Sequence, residues 1–305
     1  MVQRLTCAEL LCSLLILLCS PTESLAALPQ VSFRARPDLP LRAGSGALVV
    51  ADFNGDGYLD IAASVDQIQV YFGDSKGHFS PGPLSPSLQG GGASLMASGD
   101  LNGDGTPDLV LSDHNYVYVM FGNGDGTFQA PAKYTTSING CYGLAVAPLR
   151  PQGKPDMVIA GPTGWQTYIN NGTGQFSTGQ VFPLAPSGGW DVAIGDLNGD
   201  GLPDVVISEG AGSRVAIYKN TGAKGLQLAN SIALSEAYFM ALGDLNGDGK
   251  LDLAVTASLA FEFVYILFGN GDFTFQKPVV VKRRRLPNQP AHRRFQPRPH
   301  RRLGH

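Results

Sequence analysis

Asp52-Phe53-Asn54-Gly55-Asp56-Gly57-Tyr58-Leu59-Asp60 is the stretch that decides the fold, because its pattern returns three more times along the chain. The pattern D-x-N-x-D-G-x-x-D recurs at 100–108, 196–204 and 244–252, so the first residues are 48, 96 and 48 residues apart. In a tight loop these alternating oxygen-bearing side chains and one backbone carbonyl can converge on a small space. A shell of about six to eight oxygens is what hard cations of the calcium type require.

A further unit keeps the spacing but loses the acidic side chains. Pro148, Arg150 and Gln152 stand where the other copies have Asp, Asn and Asp, and Asp156 alone is kept. A cation beside an arginine, with a single carboxylate, would be poorly held. We therefore expect a structural hairpin without metal in this unit.

Each unit contains short apolar or β-branched runs separated by Gly-Asp-Gly or Asn-Gly, a pattern that favours strands over helices. The expected strands of the first unit are 47–51, 60–64 and 67–72, with a fourth after the next aromatic residue; those of the second are 108–111, 116–121 and 128–133, and 144–149 opens the third. Four antiparallel strands in about 40–50 residues are typical of a propeller blade. The sequence predicts an all-β chain, a β-propeller with five visible repeats near 44–91, 92–139, 140–187, 188–235 and 236–281.

The two ends of the chain differ from the repeats. Residues 1–26 place one basic residue before the apolar run 10–18 and end in Ser24-Leu25-Ala26, which predicts a removable secretory signal, with a retained anchor as the alternative. Residues 282–305 hold nine Lys or Arg and no acid, so we expect a basic disordered tail, either functional or the product of a truncated or shifted reading frame. The propeller is expected at 27–281, after a short strand at 31–34, in a secreted protein with no membrane insertion.

The charge of the expected propeller argues against a nucleic-acid partner. Residues 27–281 contain 12 basic and 23 acidic side chains, a difference of −11. Such a surface repels a polyanion unless cations neutralise it.

Two other interpretations of the acidic loop can be weighed on sequence alone. An EF-hand also needs a glutamate at position twelve, where this chain has Ala63, Leu111, Ile207 or Val255, and flanking helices. A plain hairpin turn would explain Asn-Gly-Asp-Gly but does not require three carboxylates within nine residues, which repel one another without a cation. We therefore expect these loops to bind metal, and calcium rather than magnesium.

The acidic loop, followed by a strand and then by Phe72-Gly73, Phe121-Gly122 or Phe268-Gly269, resembles the FG-GAP repeat family with its VCBS subgroup. That family includes the seven-bladed β-propeller of integrin α subunits, secreted bacterial proteins and fungal lectins. The resemblance spans about 44–281 and implies a blade count of seven, although five units are visible and the short strand at 31–34 looks like part of a further blade. The FG pair is missing around Ile169-Asn170 and Tyr218-Lys219.

The resemblance also implies which residues bind calcium, through the side chains of positions one, three, five and nine and the carbonyl of position seven, at about four sites. The expected ligands are Asp52, Asn54, Asp56, the Tyr58 carbonyl and Asp60; Asp100, Asn102, Asp104, the Thr106 carbonyl and Asp108; Asp196, Asn198, Asp200, the Leu202 carbonyl and Asp204; and Asp244, Asn246, Asp248, the Lys250 carbonyl and Asp252.

A candidate ligand surface lies at the other end of each blade, where the first strand begins. The register column there reads Gly46, Ser94, Tyr142, Trp190 and Tyr238, so three successive blades offer an aromatic side chain. Exposed aromatic rings suit stacking on sugars or anchoring a protein partner. The alternative is that these rings pack between neighbouring blades.

The sequence offers little for catalysis. It contains neither G-x-S-x-G nor H-E-x-x-H, and the pair Asp113-His114 is a weak sign of a catalytic site. We therefore expect a secreted calcium-binding propeller that is not an enzyme and that acts as a binding or adhesion module for extracellular glycan or protein ligands. The alternatives are a non-catalytic accessory region of a secreted hydrolase or lyase, and a non-functional truncated fragment.

Overall fold

The computed structural model describes residues 46–64, 67–86, 88, 93–184, 188–209, 213–257 and 263–282. The expected signal peptide, the short strand at 31–34 and residues 283–305 of the expected tail lie outside these described residues. Within them, no helix is long and apolar enough to cross a membrane.

The described chain is all-β and forms five antiparallel sheets of four strands, the blades of a β-propeller. The strands of the first three blades are β1 (Leu48–Ala51), β2 (Asp60–Ser64), β3 (Ile68–Gly73) and β4 (Phe79–Leu84); β5 (Leu95–Gly99), β6 (Asp108–Ser112), β7 (Tyr116–Met120) and β8 (Ala132–Thr135); and β9 (Gly143–Ala147), β10 (Asp156–Gly161), β11 (Gly164–Asn170) and β12 (Phe176–Pro183). Those of the last two are β13 (Asp191–Gly195), β14 (Asp204–Glu209), β15 (Arg214–Asn220) and β16 (Leu226–Ala233); and β17 (Ala237–Gly243), β18 (Asp252–Ala257), β19 (Phe263–Leu267) and β20 (Val279–Lys282). A short 3-10 helix, Gly222–Lys224, lies between β15 and β16.

The first strands of the blades lie side by side, with β1 next to β5, β5 next to β9, β9 next to β13 and β13 next to β17. The core lies between consecutive blades, and successive residues of a middle strand serve two interfaces. In β6, Leu109 packs toward the first blade, and Val110 packs toward the third. Because successive side chains of a strand point to opposite faces, a strand buried on both faces needs an unbroken apolar run. All five residues of β6 are indeed buried.

The fourth strand starts at the expected aromatic residue in the first blade, at Phe79, but later than expected in the second. The expected strand 128–133 is replaced by an isolated bridge between Gly122 and Phe128, and β8 begins at Ala132. Pro131 explains the gap, because proline has no N–H to donate to a strand ladder. The last blade repeats this arrangement, with a Gly269–Phe275 bridge before Pro278.

The fold places the two candidate sites at opposite ends of the blades. Each acidic loop connects the end of a first strand to the start of a second strand, as between β1 and β2. Tyr142 and Trp190 lie just before β9 and β13, and Tyr238 is the second residue of β17. A strand of five residues spans about 16 Å, so roughly that distance separates the two ends.

Candidate metal loops and aromatic surface

Hydrogen bonds of the loop backbone hold the first three oxygen-bearing side chains in place. In the first loop, Oδ1 of Asp52 accepts the N–H groups of Gly55 at 2.8 Å and Asp56 at 3.2 Å, and Oδ2 accepts that of Gly57 at 2.8 Å. The amide of Asn54 accepts the N–H of Asp56 through Oδ1 and donates to Oδ2 of Asp56 at 2.9 Å. Gly55 and Gly57 have φ of +74° and +85°, which glycine adopts without strain. The loop therefore gathers positions one, three and five.

Position nine is different, because its carboxylate is buried. Oδ2 of Asp60 accepts the N–H of Phe53 at 2.9 Å, and Oδ1 accepts that of Gly73 at 2.8 Å. The equivalent carboxylates are fully buried and accept the same two kinds of N–H group; they are Asp108, Asp204 and Asp252. Position nine thus ties the acidic loop to the turn after the third strand.

Burial and hydrogen bonding move the pKa values of the loop carboxylates in opposite directions. Burial raises the pKa of Asp108 to about 6 and that of Asp60 above its usual value, although backbone N–H groups partly offset the effect. At position five, the N–H of Thr106 lowers the pKa of Asp104, and the Asn198 amide lowers that of Asp200. A nearby cation would therefore favour the ionised form of Asp60 and Asp108, which burial disfavours.

The unit without the full motif contains a cation of its own. The guanidinium of Arg150, at position three, donates to both oxygens of Asp156, at 2.9 and 3.2 Å, and to the carbonyl of Asn170 at 2.6 Å. Asp156 is fully buried, like the other position-nine carboxylates. A positive group inside the loop can therefore contact position nine, and an arginine does so in the third blade.

The donor chemistry of the other four loops fits calcium. Each offers carboxylate, amide and carbonyl oxygens, the ligands that calcium prefers. The described residues contain no group of three or more His, Cys, Asp or Glu side chains positioned to hold a metal ion. In the third blade, nevertheless, the side chain at position three, Arg150, contacts the position-nine carboxylate, so side chains of these two positions can meet. The twenty residues named from the sequence therefore remain the predicted calcium ligands.

The FG glycine has a structural role that the sequence pattern does not reveal. A Cβ built on Gly73 would lie 2.2 Å from the carbonyl oxygen of Leu59, at position eight of the loop, so no side chain fits there. Where the FG pair is missing, Asn170 and Asn220 take the place of this glycine, and their N–H groups bond Asp156 and Asp204. Their Nδ2 atoms donate to the position-eight carbonyls of Pro155 and Pro203, each at 3.0 Å. The position-eight carbonyl thus leaves no room for a side chain at Gly73 in the first blade, whereas in the third blade it accepts a hydrogen bond from the side chain of Asn170.

These turns also link the loops of the first three blades to the next blade, at the carbonyl of position two. Nδ2 of Asn170 donates to Leu101 O at 2.8 Å, and Nδ2 of Asn220 donates to Leu149 O at 2.6 Å. Between the first two blades the donor is the backbone N–H of Gly126, which bonds Phe53 O at 3.0 Å.

The aromatic side chains predicted at the opposite end are brought together by the fold. The ring of Trp190 stacks on Tyr142, with centroids 5.2 Å apart and planes at 29°. Trp190 and Tyr238 lie edge to face, with centroids also 5.2 Å apart. All three rings are half-buried. They pack against their neighbours in adjacent blades, as the alternative interpretation expects, and still keep exposed surface, so their role in ligand binding stays a prediction. These three residues are the aromatic surface.

His114 extends the aromatic surface, and sequence reasoning missed it. Its exposed ring lies 6.1 Å from that of Tyr142, edge to face, and its carbonyl accepts the N–H of Cys141 at 2.8 Å. His114 lies in the turn after β6 with φ of +76°, outside the register column of the first strands. Asp113 does not orient this ring, because its carboxylate accepts the Tyr118 hydroxyl at 2.8 Å and two backbone N–H groups.

A family model described as FG-GAP-like repeat matches residues 52–111, 100–150, 152–207 and 196–255, well over half of the chain. The chain belongs to the FG-GAP-like repeat family. The matched stretches include all four acidic loops and the loop that contains Arg150. A search of curated proteins returns no significant match.

Two solved structures have a similar fold. One is an Agrocybe aegerita lectin, whose structure concerns specific recognition of non-reducing terminal N-acetylglucosamine. It aligns with a TM-score of 0.55 and 23% identity, over 79% of this chain and 67% of that one. A structure of BBS1N in complex with ARL6DN aligns with a TM-score of 0.55 and 11% identity, over 78% of this chain and 70% of that one. At these identities the likeness concerns the fold alone.

Proposed function

We propose that this FG-GAP-like protein is a secreted, calcium-stabilised binding module that takes an extracellular glycan on its aromatic surface. The observation that carries the proposal is the continuous run of half-exposed rings of Tyr142, Trp190 and Tyr238 across three blades. A sugar ring stacks its C–H face on an aromatic ring, and neighbouring polar groups then fix its orientation. The rings are held by contacts with one another, which limits the entropy lost when a ligand binds.

The backbone supports a rigid surface at this end. The N–H of Trp190 bonds Ser208 O at 2.8 Å, and the hydroxyl of Ser208 bonds Tyr238 O in the next blade at 2.6 Å. The carboxylate of Asp191 accepts the N–H of Met240 at 2.8 Å, which again joins the fourth blade to the fifth. Because the last two bonds cross the interface between the fourth and fifth blades, they hold the backbone beside Trp190 and Tyr238 in a fixed relation.

Calcium has a structural role in this proposal. An ion held by positions one, three, five and nine and the position-seven carbonyl would neutralise the exposed carboxylates and compensate the buried one. Each loop joins the first strand of a blade to the second, so the ion would hold the inner strand in place. A protein of similar fold, the Agrocybe aegerita lectin, recognises non-reducing terminal N-acetylglucosamine, which supports a glycan as the first ligand class to test here.

A glycan array compared between wild type and Trp190→Ala tests the proposal. We expect the wild type to bind a defined glycan class in calcium, and the substitution to weaken binding about tenfold or more, as for other buried aromatic anchors. Phe79→Ala is the matched control, because Phe79 is an aromatic residue, 37% exposed, that begins the fourth strand of the first blade outside the acidic loops. It should leave glycan binding unchanged.

Loss of fold must be separated from loss of contact in this experiment. Thermal unfolding shows whether Trp190→Ala is still folded, and Trp190→Leu keeps apolar packing while it removes the stacking face. Unchanged glycan binding in both folded Trp190 variants would rule out this surface as the site. Binding to extracellular protein, with no glycan bound, would favour the adhesion alternative.

A further inference from the structure

The four acidic loops differ in the hydrogen bonds that their position-one aspartate accepts. In three of them, Oδ2 of the position-one aspartate accepts the N–H of the position-six glycine; the pairs are Asp52–Gly57 at 2.8 Å, Asp196–Gly201 at 2.8 Å and Asp244–Gly249 at 2.9 Å. In the second loop, Oδ2 of Asp100 instead accepts a hydrogen bond from Nζ of Lys154 at 3.2 Å. A side-chain ammonium thus takes the place of a loop N–H at one loop of the four described.

Lys154 reaches the second loop from the next blade. It occupies position seven of the loop between β9 and β10, the same loop that contains Arg150. Its stem lies directly over Gly103, because a Cβ built on this glycine would be 2.6 Å from Cε and 2.7 Å from Nζ. Next to it, the Pro155 ring packs 3.6 Å from the position of a Cβ on Gly99. The ammonium is therefore positioned by packing, and the ion pair is only about one-third exposed, at 37% for Lys154 and 32% for Asp100.

Lys154 and a calcium ion would compete for the same carboxylate. Asp100 is a predicted ligand of the second loop, and two positive groups beside it repel each other. Calcium must therefore displace the ammonium group, or bind while this second positive charge stays beside it. We infer that Lys154 is an internal competitor that lowers the calcium affinity of the second loop, so that the four loops fill at different calcium concentrations. This inference rests on the calcium role proposed above.

The other loops give an internal comparison. In the third loop, Nζ of Lys219 lies 3.4 Å from Oδ2 of Asp200, at position five, while Asp196 keeps its bond to Gly201. The described residues show no ion pair to the first or the fourth loop. The expected order of affinity therefore places the first and fourth loops first, the third next and the second last.

Substitution of Lys154 by methionine removes the charge and keeps an apolar stem over Gly103. The readout is the amide resonance of each position-six glycine in ¹⁵N-glycine-labelled protein during calcium titration, which follows Gly57, Gly105, Gly201 and Gly249 separately. In wild type, Gly105 should saturate last. In Lys154→Met its midpoint should move to an about two- to fivefold lower calcium concentration, the size expected for one partly exposed ion pair.

Lys133→Met is the matched control, because Lys133 lies over the ring of Tyr116 in the second blade. It removes the same charge and should leave all four midpoints unchanged, whereas Lys154→Arg should keep the late saturation of Gly105. An unchanged Gly105 midpoint in Lys154→Met, while the other glycines respond to calcium, would overturn the inference alone. Absence of any response at all four glycines would overturn the proposed calcium role and this inference with it.

Discussion

The guanidinium of Arg150 bonds both oxygens of the buried Asp156 carboxylate, from Nη2 at 2.9 Å and from Nε at 3.2 Å. In the other blades the same position-nine carboxylate belongs to a loop with two further aspartates and one asparagine. The third blade therefore has a covalently attached positive charge where we propose that the others take a calcium ion. Its stability should depend on this one arginine and be independent of calcium concentration.

Arg150→Ala should lower the free energy of unfolding by about 2–4 kcal/mol, because it leaves a buried carboxylate without its partner. The arginine is 42% exposed, so the loss should be smaller than for a fully buried pair. Urea unfolding in a calcium chelator measures it. Arg150→Lys keeps the charge but loses the bidentate hydrogen bond, and it should lower the free energy of unfolding by less than Arg150→Ala does. Equal stability of wild type and Arg150→Ala would contradict this role.

Chelation should lower the melting temperature of the wild-type protein, because calcium that binds only the folded state stabilises it. A loop held at about 100 times its dissociation constant contributes about 2.7 kcal/mol. Asp104→Ala should therefore lower the melting temperature in calcium and scarcely change it in chelator. Asp125→Ala removes a turn aspartate that bonds Thr127, outside the loops, and its effect should be the same in both conditions. A wild-type melting temperature that is the same with and without the chelator would refute the prediction.

Gly73→Ala should destabilise the protein more than Gly57→Ala does. The new Cβ at position 73 would lie 2.2 Å from Leu59 O, a backbone atom that cannot move alone, and such overpacking costs about 1–3 kcal/mol or more. Gly57 has open space but φ of +85°, so its substitution adds only backbone strain of about 1 kcal/mol. Chemical unfolding of both variants decides the order, and the reverse order would show that the turn relaxes freely.

Asn170→Asp should be more harmful than Asn170→Ala, although it is closer in shape. The Nδ2 of Asn170 donates to Leu101 O and Pro155 O, and the side chain is 1% exposed. Alanine loses these bonds, at about 1–3 kcal/mol, whereas aspartate also turns an acceptor toward two carbonyl oxygens. Unfolding free energies of both variants test the order. If the aspartate variant were the more stable, the amide could not be the donor at this position.

The sequence predicted the blades well because each interface repeats the same chemistry. The second strand at 60–64 matches β2 residue for residue, and its buried pair of Asp60 and Ser64 recurs as Asp108 and Ser112 in β6. The fourth strand was misplaced in the second blade, where Pro131 interrupts the ladder. The family assignment is confirmed, while the ligand set of the loops stays a prediction.

Contacts between blades were the part that sequence reasoning could not supply. Lys154 and Asp100 are 54 positions apart, and no local pattern relates them. His114 joins the aromatic surface from a turn, not from the column of first strands that contains Tyr142. In the sequence, the exchange of the FG glycine for Asn170 appears only as a missing motif. The structure shows that the Asn170 amide donates a hydrogen bond to the carbonyl of Pro155.

The position-two carbonyls have a mechanical consequence. Phe53 O, Leu101 O and Leu149 O each accept a hydrogen bond from the following blade, at 3.0, 2.8 and 2.6 Å. Each lies in a loop that also donates a hydrogen bond to its position-nine carboxylate. A load applied to one blade is therefore passed to the next at the loop edge, so the first four blades should come apart together instead of peeling off singly.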